Sequence, residues 1–419
     1  MKKYLSKLKN FSFYEWILFI FPLTLLLGSF YVNVLLILVS FLFIYQIFKK
    51  KLLFKINLTW VYFYFFFISY NIVRGFFSSD HFAAIQNSFS QFRFLFLALF
   101  IYLFIDNKES IKTMLIGWLI LILFVCFDSI YQFFFLKDIF GYKIVAGYPE
   151  GSVRLTGPFG TRLVVGSFVA LISIPIIVFY LKKINNFFFL KKIFFIFLYF
   201  IIASTVLLSG ERLALFIFFG SSILIFIFYL DFKRVILCAL FILLFITMAY
   251  FKIDTFRTRI NNSYDIFNNF YNSSYGRLYE SSFLLFKKNY IFGVGLKNYR
   301  VDCDRQIDPR PKSIYQFCST HPHNFYLEIL TETGIVGFFI FTFSFVFLSI
   351  FIKEEMNKNY KSFKKFSTIA YGSLIVLLIY FWPLKTSGSF FTTWNGSIFW
   401  FNLGILLLMT KKDKKNKRL

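Results

Sequence analysis

Long uninterrupted runs of hydrophobic residues dominate this sequence and alternate with short polar segments. Most runs are about 17–25 residues long, which is the length that a helix needs to cross the hydrocarbon core of a bilayer. They lack the strict alternation of a transmembrane β-barrel strand. The pattern therefore predicts an all-α polytopic membrane protein with about twelve transmembrane helices. The predicted spans are 14–30, 31–48, 58–74, 92–105, 113–136, 163–181, 190–208, 213–230, 234–250, 324–352, 366–384 and 396–410.

One polar segment, 251–323, is much longer than the others, and we expect it to be a long periplasmic loop containing short helices. The run 324–352 is too long for one simple crossing, so its first part is expected to lie at the membrane interface. Neither a Gly/Ser-rich linker nor an internal repeat is visible in the sequence. The whole chain, 1–419, is therefore interpreted as a single membrane domain.

Composition and charge support this interpretation and add an orientation. The chain is 58% hydrophobic and contains 69 Phe, more than one water-soluble core of this size can bury. The net charge of +26 is concentrated in short segments between the apolar runs. Short basic loops mark the cytoplasmic face, which predicts cytoplasmic N- and C-termini in a bacterial inner membrane, rather than a nucleic-acid surface. The segments are Lys49–Lys51, Lys182–Lys183, Lys191–Lys192, Lys361–Lys365 and the tail 411–418.

Two of the three histidines lie together in HPHNFYLEILTETGIVG, residues 321–337, where the long loop returns to the membrane. A neutral imidazole such as that of His323 accepts a proton from a hydroxyl group near neutral pH. The alternative is an interfacial histidine that only packs against the next helix, and the residues alone favour this alternative. If neutral His323 is the base, the reaction rate should fall as the pH drops through the pKa of its imidazole, and a flat profile from about pH 5 to 8 would count against this role.

Several arginines fall in segments predicted to lie outside the cytoplasm. A guanidinium binds phosphate through two parallel hydrogen bonds and stays protonated, which suits a diphosphate ligand. Each arginine alone is better explained as a snorkelling side chain or as the partner of an acid such as Glu211. Together with His323 they would form an anion site beside a base. The candidates are Arg212 and Arg277, with Arg154 and Arg300 as secondary ones.

The sequence predicts no metal site. Asp302-Cys303-Asp304 has the D-x-D pattern that holds divalent ions in some glycosyltransferases, but its arginine neighbours favour a solvated charged loop. The two histidines lack a third ligand at a recognisable spacing. Gly293 and Gly295 are explained by a tight turn. Cys303 and Cys318 share the long loop, and the sequence leaves open whether they form a disulfide there.

Four ordered pieces of the sequence resemble the O-antigen ligase family, whose membrane domain is shared with O-antigen polymerases and protein O-oligosaccharyltransferases. The resemblance covers 150–405. Its most specific piece is HNFYLEILTETGIVG at 323–337. The others are RLTGPFGTRLVVGSFVAL at 154–171, SGERLALFIF at 209–218 and GRLYESSFLLFKKNYIFGVGLKNYR at 276–300.

This resemblance implies a glycosyltransferase that moves a glycan from undecaprenyl diphosphate to an acceptor hydroxyl, with lipid A–core as the acceptor in a ligase. It implies that Arg212 and Arg277 grip the diphosphate and that His323 activates the acceptor, with neither metal nor ATP as a cofactor. Attack opposite the leaving group would invert the anomeric centre. Glu211 directly before Arg212 departs from the commoner pattern and is expected to temper that arginine's charge.

Other functions fit parts of the sequence. A polymerase of the same family would use a second lipid-linked glycan as acceptor, and the shared motifs do not separate it from a ligase. A protein acceptor is less favoured. A transporter of lipid-linked glycans suits the number of helices but not the missing repeat. A non-catalytic membrane scaffold also stays open.

Overall fold

A computed structural model describes residues 2–50, 58–147, 150–182, 188–307, 318–383, 385–386 and 388–412. Lys51, Lys183 and most of the predicted basic tail lie outside these residues. The described part is almost entirely helical. The helices are α1 Lys2–Lys9, α2 Phe13–Leu27, α3 Ser29–Lys49, α4 Thr59–Gly75, α5 His81–Ser90, α6 Phe92–Phe104, α7 Lys108–Phe135, α8 Val165–Leu181, α9 Phe189–Leu208, α10 Arg212–Tyr229, α11 Phe232–Lys252, α12 Asp254–Asn268, α13 Ser274–Lys288, α14 Tyr299–Gln306, α15 Phe325–Lys358, α16 Tyr360–Tyr380 and α17 Thr393–Thr410.

Eight helical stretches among the described residues are long and apolar enough to cross a membrane, and Phe13–Leu27 and Val165–Leu181 are shorter apolar helices. The chain is therefore a polytopic membrane protein, as the hydrophobic runs predict. One of the eight, His81–Phe104, joins α5 and α6. The larger number of about twelve crossings stays a prediction.

Helix α17 forms the centre of the bundle and is buried on every side from Gly396 to Thr410. It packs against α6 and α16. A Cβ atom at Gly396 would lie 2.7 Å from the ring of Phe94, and one at Gly404 would lie 2.9 Å from Ile101. The two glycines therefore allow α6 to approach α17 closely, in the way that small residues permit helix packing in membranes.

The predicted lysine segments that the structure describes meet at one end of the bundle, which we call the lysine end. The ammonium group of Lys182 donates to Ser367 at 3.2 Å, and Lys365 pairs with Glu109 at 3.3 Å. Lys411 donates to a backbone carbonyl near the end of α6 at 3.0 Å. These contacts tie the cationic ends of α6, α7, α8, α16 and α17 together.

Helix α15 is interrupted near its beginning at Gly334, whose φ is 66°. A Cβ atom there would lie 2.3 Å from the carbonyl oxygen of Ile291, so only glycine fits. The backbone N–H of Gly295 donates to the carbonyl of Glu332 at 2.7 Å across this junction. The glycine pair at Gly293 and Gly295 thus serves a close backbone approach to the break in α15. The break divides α15 into a short first part and a long second part, and the interfacial position of the first part stays a prediction.

The opposite end of the bundle, which we call the histidine end, carries the segments between α7 and α8 and between α11 and α15. Helices α12, α13 and α14 lie in the second of these, matching the short helices predicted for 251–323. The first contains a small departure from the all-α prediction. There Val145–Ala146 (β1) pairs antiparallel with Val153–Arg154 (β2).

Candidate functional site

The turn Ser209-Gly210-Glu211 places Arg212 at the first position of α10. Gly210 has a φ of 71°, and a Cβ atom there would lie 2.5 Å from the carbonyl oxygen of Val153. Glycine therefore lets the β1–β2 hairpin lie directly against the turn. The N–H of Leu155 donates to the carbonyl of Ser209 at 3.3 Å across the same contact. This packing brings Arg154 to the start of α10.

The carboxylate of Glu211 binds the first turn of α8. Its carboxylate accepts the N–H of Gly166 at 2.7 Å and the hydroxyl of Ser167 at 2.5 Å. Both donors belong to the first turn of α8, where backbone N–H groups attract an anion. Burial raises the pKa of Glu211, while the Ser167 hydroxyl and the positive charge of Arg154 oppose that rise. Glu211 therefore joins α8 to α10 and faces Arg154 electrostatically.

A third arginine, which the sequence interpretation missed, completes this cluster. Arg259 lies on α12 and is only 8% exposed. A Cβ atom at Gly147 would lie 2.7 Å from its Nη2 atom, and one at Gly210 would lie 3.3 Å from its Nε atom. Arg259 is thus wedged between the β1–β2 hairpin and the turn that precedes Arg212. We call Arg154, Arg212 and Arg259 the arginine cluster.

Burial, together with the positive charges of Arg154 and Arg212, lowers the pKa of Arg259 to about 10. Glu211 and Tyr275 oppose this shift. A pKa of about 10 leaves the Arg259 guanidinium protonated at neutral pH. Three like charges therefore meet in a partly buried space, which is favourable only where an anion can compensate them.

The cluster also has unused hydrogen-bond donors. The Nε atoms of Arg154 and Arg259 are buried and have no hydrogen-bond partner among the described residues. Arg154 donates through Nη2 to the carbonyl of Leu163 at 3.2 Å, and Arg212 donates through Nη2 to Asn262. Buried N–H groups are rarely left unpaired in proteins. The arginine cluster can therefore donate hydrogen bonds to an anion that has several acceptor atoms.

His323 is held in a strained and well-supported position immediately before α15. Its φ of 55° lies in the left-handed region. The next residue, Asn324, caps α15 by accepting the N–H groups of Tyr326 and Leu327 at 3.0 and 3.2 Å. The Asn324 amide also donates to the carbonyl of Pro383 at 2.9 Å. The cap thus holds the backbone that carries His323 against the start of α15.

The imidazole of His323 is half-buried between two aromatic rings. Its centroid lies 4.1 Å from that of His321, and Tyr275 on α13 meets it edge-on at 6.2 Å. Burial and the neighbouring His321 together lower the pKa of His323 to about 4, while Glu328 opposes the shift. His323 is therefore neutral throughout the neutral pH range. Its titration lies below the interval of about pH 5 to 8 predicted from the sequence.

Tyr275 links the histidine to the arginine cluster. The same side chain that packs against His323 interacts electrostatically with Arg259. One turn further along α13, the Tyr279 hydroxyl lies near the Asn324 side chain. The geometry thus brings a neutral imidazole and three guanidinium groups to one region of the histidine end.

The other two predicted arginines, Arg277 and Arg300, lie outside the arginine cluster. Arg277 is half-buried on α13, two residues after Tyr275, and donates to the carbonyl of Asn272 at 3.4 Å. Arg300 is exposed on α14, and its charge acts on the buried Glu332 of α15. The structure therefore brings Arg154 and Arg212 together, adds Arg259, and keeps Arg277 on the helix that reaches His323. It associates Arg300 with Glu332 instead.

A buried ion pair supports the first turn of α15 beneath His323. Lys297 lies 3.5 Å from the carboxylate of Glu328, and its ammonium group also donates to Ser389. The second carboxylate oxygen of Glu328 accepts the N–H of Phe390 at 2.8 Å. These contacts join α15 to the segment before α17. Sequence reasoning did not single out Lys297 or Glu328, because their pairing depends on contacts between distant segments.

In the structure, Cys303 and Cys318 form a disulfide, with a Cα–Cα distance of 5.8 Å. The neighbouring Asp302 is not the solvated acid that the sequence favours. It is 4% exposed and accepts hydrogen bonds from Ser79 at 2.7 Å and Gln306 at 3.0 Å. Asp302 therefore fastens α14 to the start of α5.

Residues 197–342 match the family model described as O-Antigen ligase. The matched part runs from within α9 to within α15 and includes Arg212, Arg259, Arg277, Arg300 and His323. Arg154 precedes it. A search of curated proteins gives no match. The resemblance seen in the sequence is thus confirmed over residues 197–342, which are similar to the O-antigen ligase domain.

Proposed function

We propose that this protein transfers a glycan from undecaprenyl diphosphate to a hydroxyl of lipid A–core at the periplasmic face of the inner membrane. The observation that carries this proposal is the arginine cluster beside His323. The buried Nε atoms of Arg154 and Arg259 have no partner among the described residues, and the cluster lies within or next to the part of the chain that matches the O-antigen ligase model. A ligand that carries two phosphates and a polymeric lipid tail would use both the cluster and the surrounding membrane.

The arginine cluster would act on the leaving group. Breaking the bond between the sugar and the diphosphate develops negative charge on the diphosphate oxygens. Guanidinium groups already fixed by Gly210 and the hairpin stabilise that charge without reorganising during the reaction. They therefore stabilise the transition state more than they stabilise the ground state of the bound donor. Arg277 is a further candidate for the glycan side of the donor because it lies on α13 beside Tyr275.

His323 would accept the proton of the acceptor hydroxyl as the hydroxyl oxygen attacks the anomeric carbon. Its pKa of about 4 keeps the imidazole neutral and ready to accept a proton at neutral pH. Attack opposite the diphosphate gives inversion at the anomeric carbon. General-base catalysis of this kind contributes about 10²–10⁴-fold to the rate. A product with retained configuration would contradict this step.

An apolar groove offers a place for the carrier lipid. It begins at Phe325 and Tyr326, two and three residues after His323, and continues along the face of α15 towards Ile352. Leu377 and Phe399 line its other side. A polyprenyl chain lying in this groove would leave its diphosphate at the histidine end. The groove supports a lipid-linked donor over a water-soluble sugar nucleotide.

The predicted orientation follows from the opposite end of the molecule. The lysine end gathers the basic segments that the positive-inside tendency places in the cytoplasm. The histidine end would then face the periplasm, where lipid-linked glycans are transferred. An impermeant maleimide should label Tyr271→Cys in intact cells and should label Lys361→Cys only after permeabilisation. The reverse labelling would contradict the orientation.

The proposal is tested with purified protein, lipid-linked glycan and lipid A–core. We expect product without added nucleotide, and we expect His323→Ala to lower the rate by at least about 10²-fold. The matched control is His81→Ala, which changes an exposed histidine at the start of α5. Unchanged turnover in His323→Ala would remove this residue from the mechanism.

A polymerase of the same family is the second candidate, because the domain is shared by ligases and polymerases. The same reaction separates the two. Replacing lipid A–core by a second lipid-linked repeat unit should abolish product for a ligase and sustain it for a polymerase. In a deletion strain, polymer left on the carrier indicates a ligase, whereas single repeat units on lipid A–core indicate a polymerase.

A further inference from the structure

Two aspartates lie buried where α7 ends and the segment with the β1–β2 hairpin begins. Asp128 on α7 is 0% exposed and Asp138 is 2% exposed. The Oδ1 atom of Asp128 accepts the N–H of Ile139 at 3.0 Å, while the Oδ1 atom of Asp138 accepts the N–H groups of Phe140 and Tyr142. The two carboxylates therefore meet at one tight turn, close enough to repel each other.

Three oxygen atoms at this turn have no partner. The Oδ2 atoms of Asp128 and Asp138 and the hydroxyl of Ser129 are buried and make no hydrogen bond among the described residues. A Cβ atom at Gly157 would lie 2.5 Å from the Ser129 hydroxyl and 3.6 Å from Asp128 Oδ2, so both face the same small space. Burying carboxylates without a compensating group is strongly unfavourable. A positive species is needed between them.

We propose that Asp128, Ser129 and Asp138 bind a divalent cation of the hard, oxygen-binding class that includes Ca²⁺ and Mg²⁺. The three atoms without a partner are all oxygens, and oxygen is the ligand atom that this class of cation prefers. A divalent cation neutralises both carboxylates, whereas one shared proton neutralises only one. No three His, Cys, Asp or Glu side chains gather within the described ranges, so water and neutral oxygens complete the coordination.

The cation would fix the position of Arg154 without touching the substrate. Gln132, one turn after Asp128, accepts the N–H groups of Thr156 and Gly157 at 2.9 and 2.8 Å. The ion holds the beginning of the hairpin segment at Asp138, and Gln132 holds its end. Arg154 lies between these two points. The proposal concerns a structural ion and does not rest on glycan transfer.

The test uses full-length protein in detergent after treatment with a chelator. Calorimetric titration with CaCl₂ and MgCl₂ should show one bound ion per chain. Asp128→Asn and Asp138→Asn keep the shape of each side chain but remove its charge, and each should weaken binding at least about tenfold. The matched control Asp265→Asn removes an exposed carboxylate on α12 and should leave binding unchanged.

A second measurement follows the segment itself and needs no variant. Lys137 and Lys143 flank the turn and are exposed, so trypsin can report on its opening. Bound Ca²⁺ should slow cleavage there several-fold in the wild type and raise its unfolding temperature relative to protein in chelator. Neither effect should appear in the Asp128→Asn and Asp138→Asn variants.

The outcomes separate the proposal from its alternatives. No bound ion in the wild type, with cleavage independent of Ca²⁺ and Mg²⁺, overturns it and indicates a shared proton. Binding that survives in both Asn variants overturns it as well, because the ion then lies elsewhere. These readouts do not involve glycan transfer, so they stand whether or not the proposed reaction is found.

Discussion

Replacing Arg259 by glutamine removes one of the three charges in the arginine cluster and keeps a polar side chain of similar reach. A hydrogen bond to a charged group contributes about 1.5–3 kcal/mol. If that bond forms with the leaving diphosphate in the transition state, its loss lowers kcat/KM by roughly 10- to 150-fold. The folded protein should be as stable as the wild type or more so, because burial and two neighbouring guanidinium groups disfavour the charge of Arg259 in the absence of substrate.

The matched control is Arg257→Gln, two residues earlier on α12. The Arg257 side chain is exposed, and its partner Asp254 lies 2.6 Å away on the same helix. An exposed pair of this kind contributes only about 0–1 kcal/mol, so kcat/KM should stay within about twofold of wild type. Both variants are assayed with defined donor and acceptor, alongside thermal unfolding. Equal kcat/KM values for the two variants, or an activity loss that follows loss of folded protein, would refute the role of Arg259.

Three further predictions use other parts of the site. The reaction rate should be constant from about pH 8 to pH 5 and should fall about tenfold per pH unit below the pKa of His323. The neutral imidazole is the reactive form, and burial is the main reason that its pKa is lowered to about 4. A fall in rate centred near the ordinary pKa of histidine would contradict the buried position. Gly210→Ala should destabilise the protein by about 1–3 kcal/mol in chemical unfolding, since a Cβ atom would lie 2.5 Å from the Val153 carbonyl. The control Gly220→Ala, where a Cβ atom meets nothing within 4 Å, should be neutral or slightly stabilising; equal losses in both would be inconsistent with the close contact. Cys303→Ser should raise the rate of proteolysis between α14 and α15 by opening the loop closed with Cys318, while Cys238→Ser should not; no difference between the two would argue against a restraining bond.

Much of the fold follows from local pattern. The predicted spans 190–208 and 213–230 coincide with α9, Phe189–Leu208, and α10, Arg212–Tyr229, because unbroken apolar runs of this length have few alternatives to a helix in lipid. The sequence also predicts the turn between these two helices, because the small residues Ser209 and Gly210 precede Arg212. Only the folded chain explains why position 210 is a glycine, because the Val153 carbonyl lies where a Cβ atom would be.

The site was harder to predict because its members come from distant segments. Arg259 looked like one of several basic residues after α11. A signal was present in the sequence, since Phe256 and Ile260 place apolar neighbours on the same helical face as Arg259, but the same pattern suits any amphipathic helix. Only the packing of α12 against the hairpin and the turn at Gly210 distinguishes Arg259 from the exposed Arg257.

The sequence by itself determined the membrane character, most helix positions, the clustering of lysines between the spans and the resemblance around His323. These depend on composition and on spacing within one segment, which hydrophobic burial translates directly into helices. The tertiary structure decided which arginines meet, that Glu211 caps α8, and that His323 is buried enough to stay neutral. Those properties depend on long-range contacts between chain segments, and local periodicity carries no information about which segments will touch.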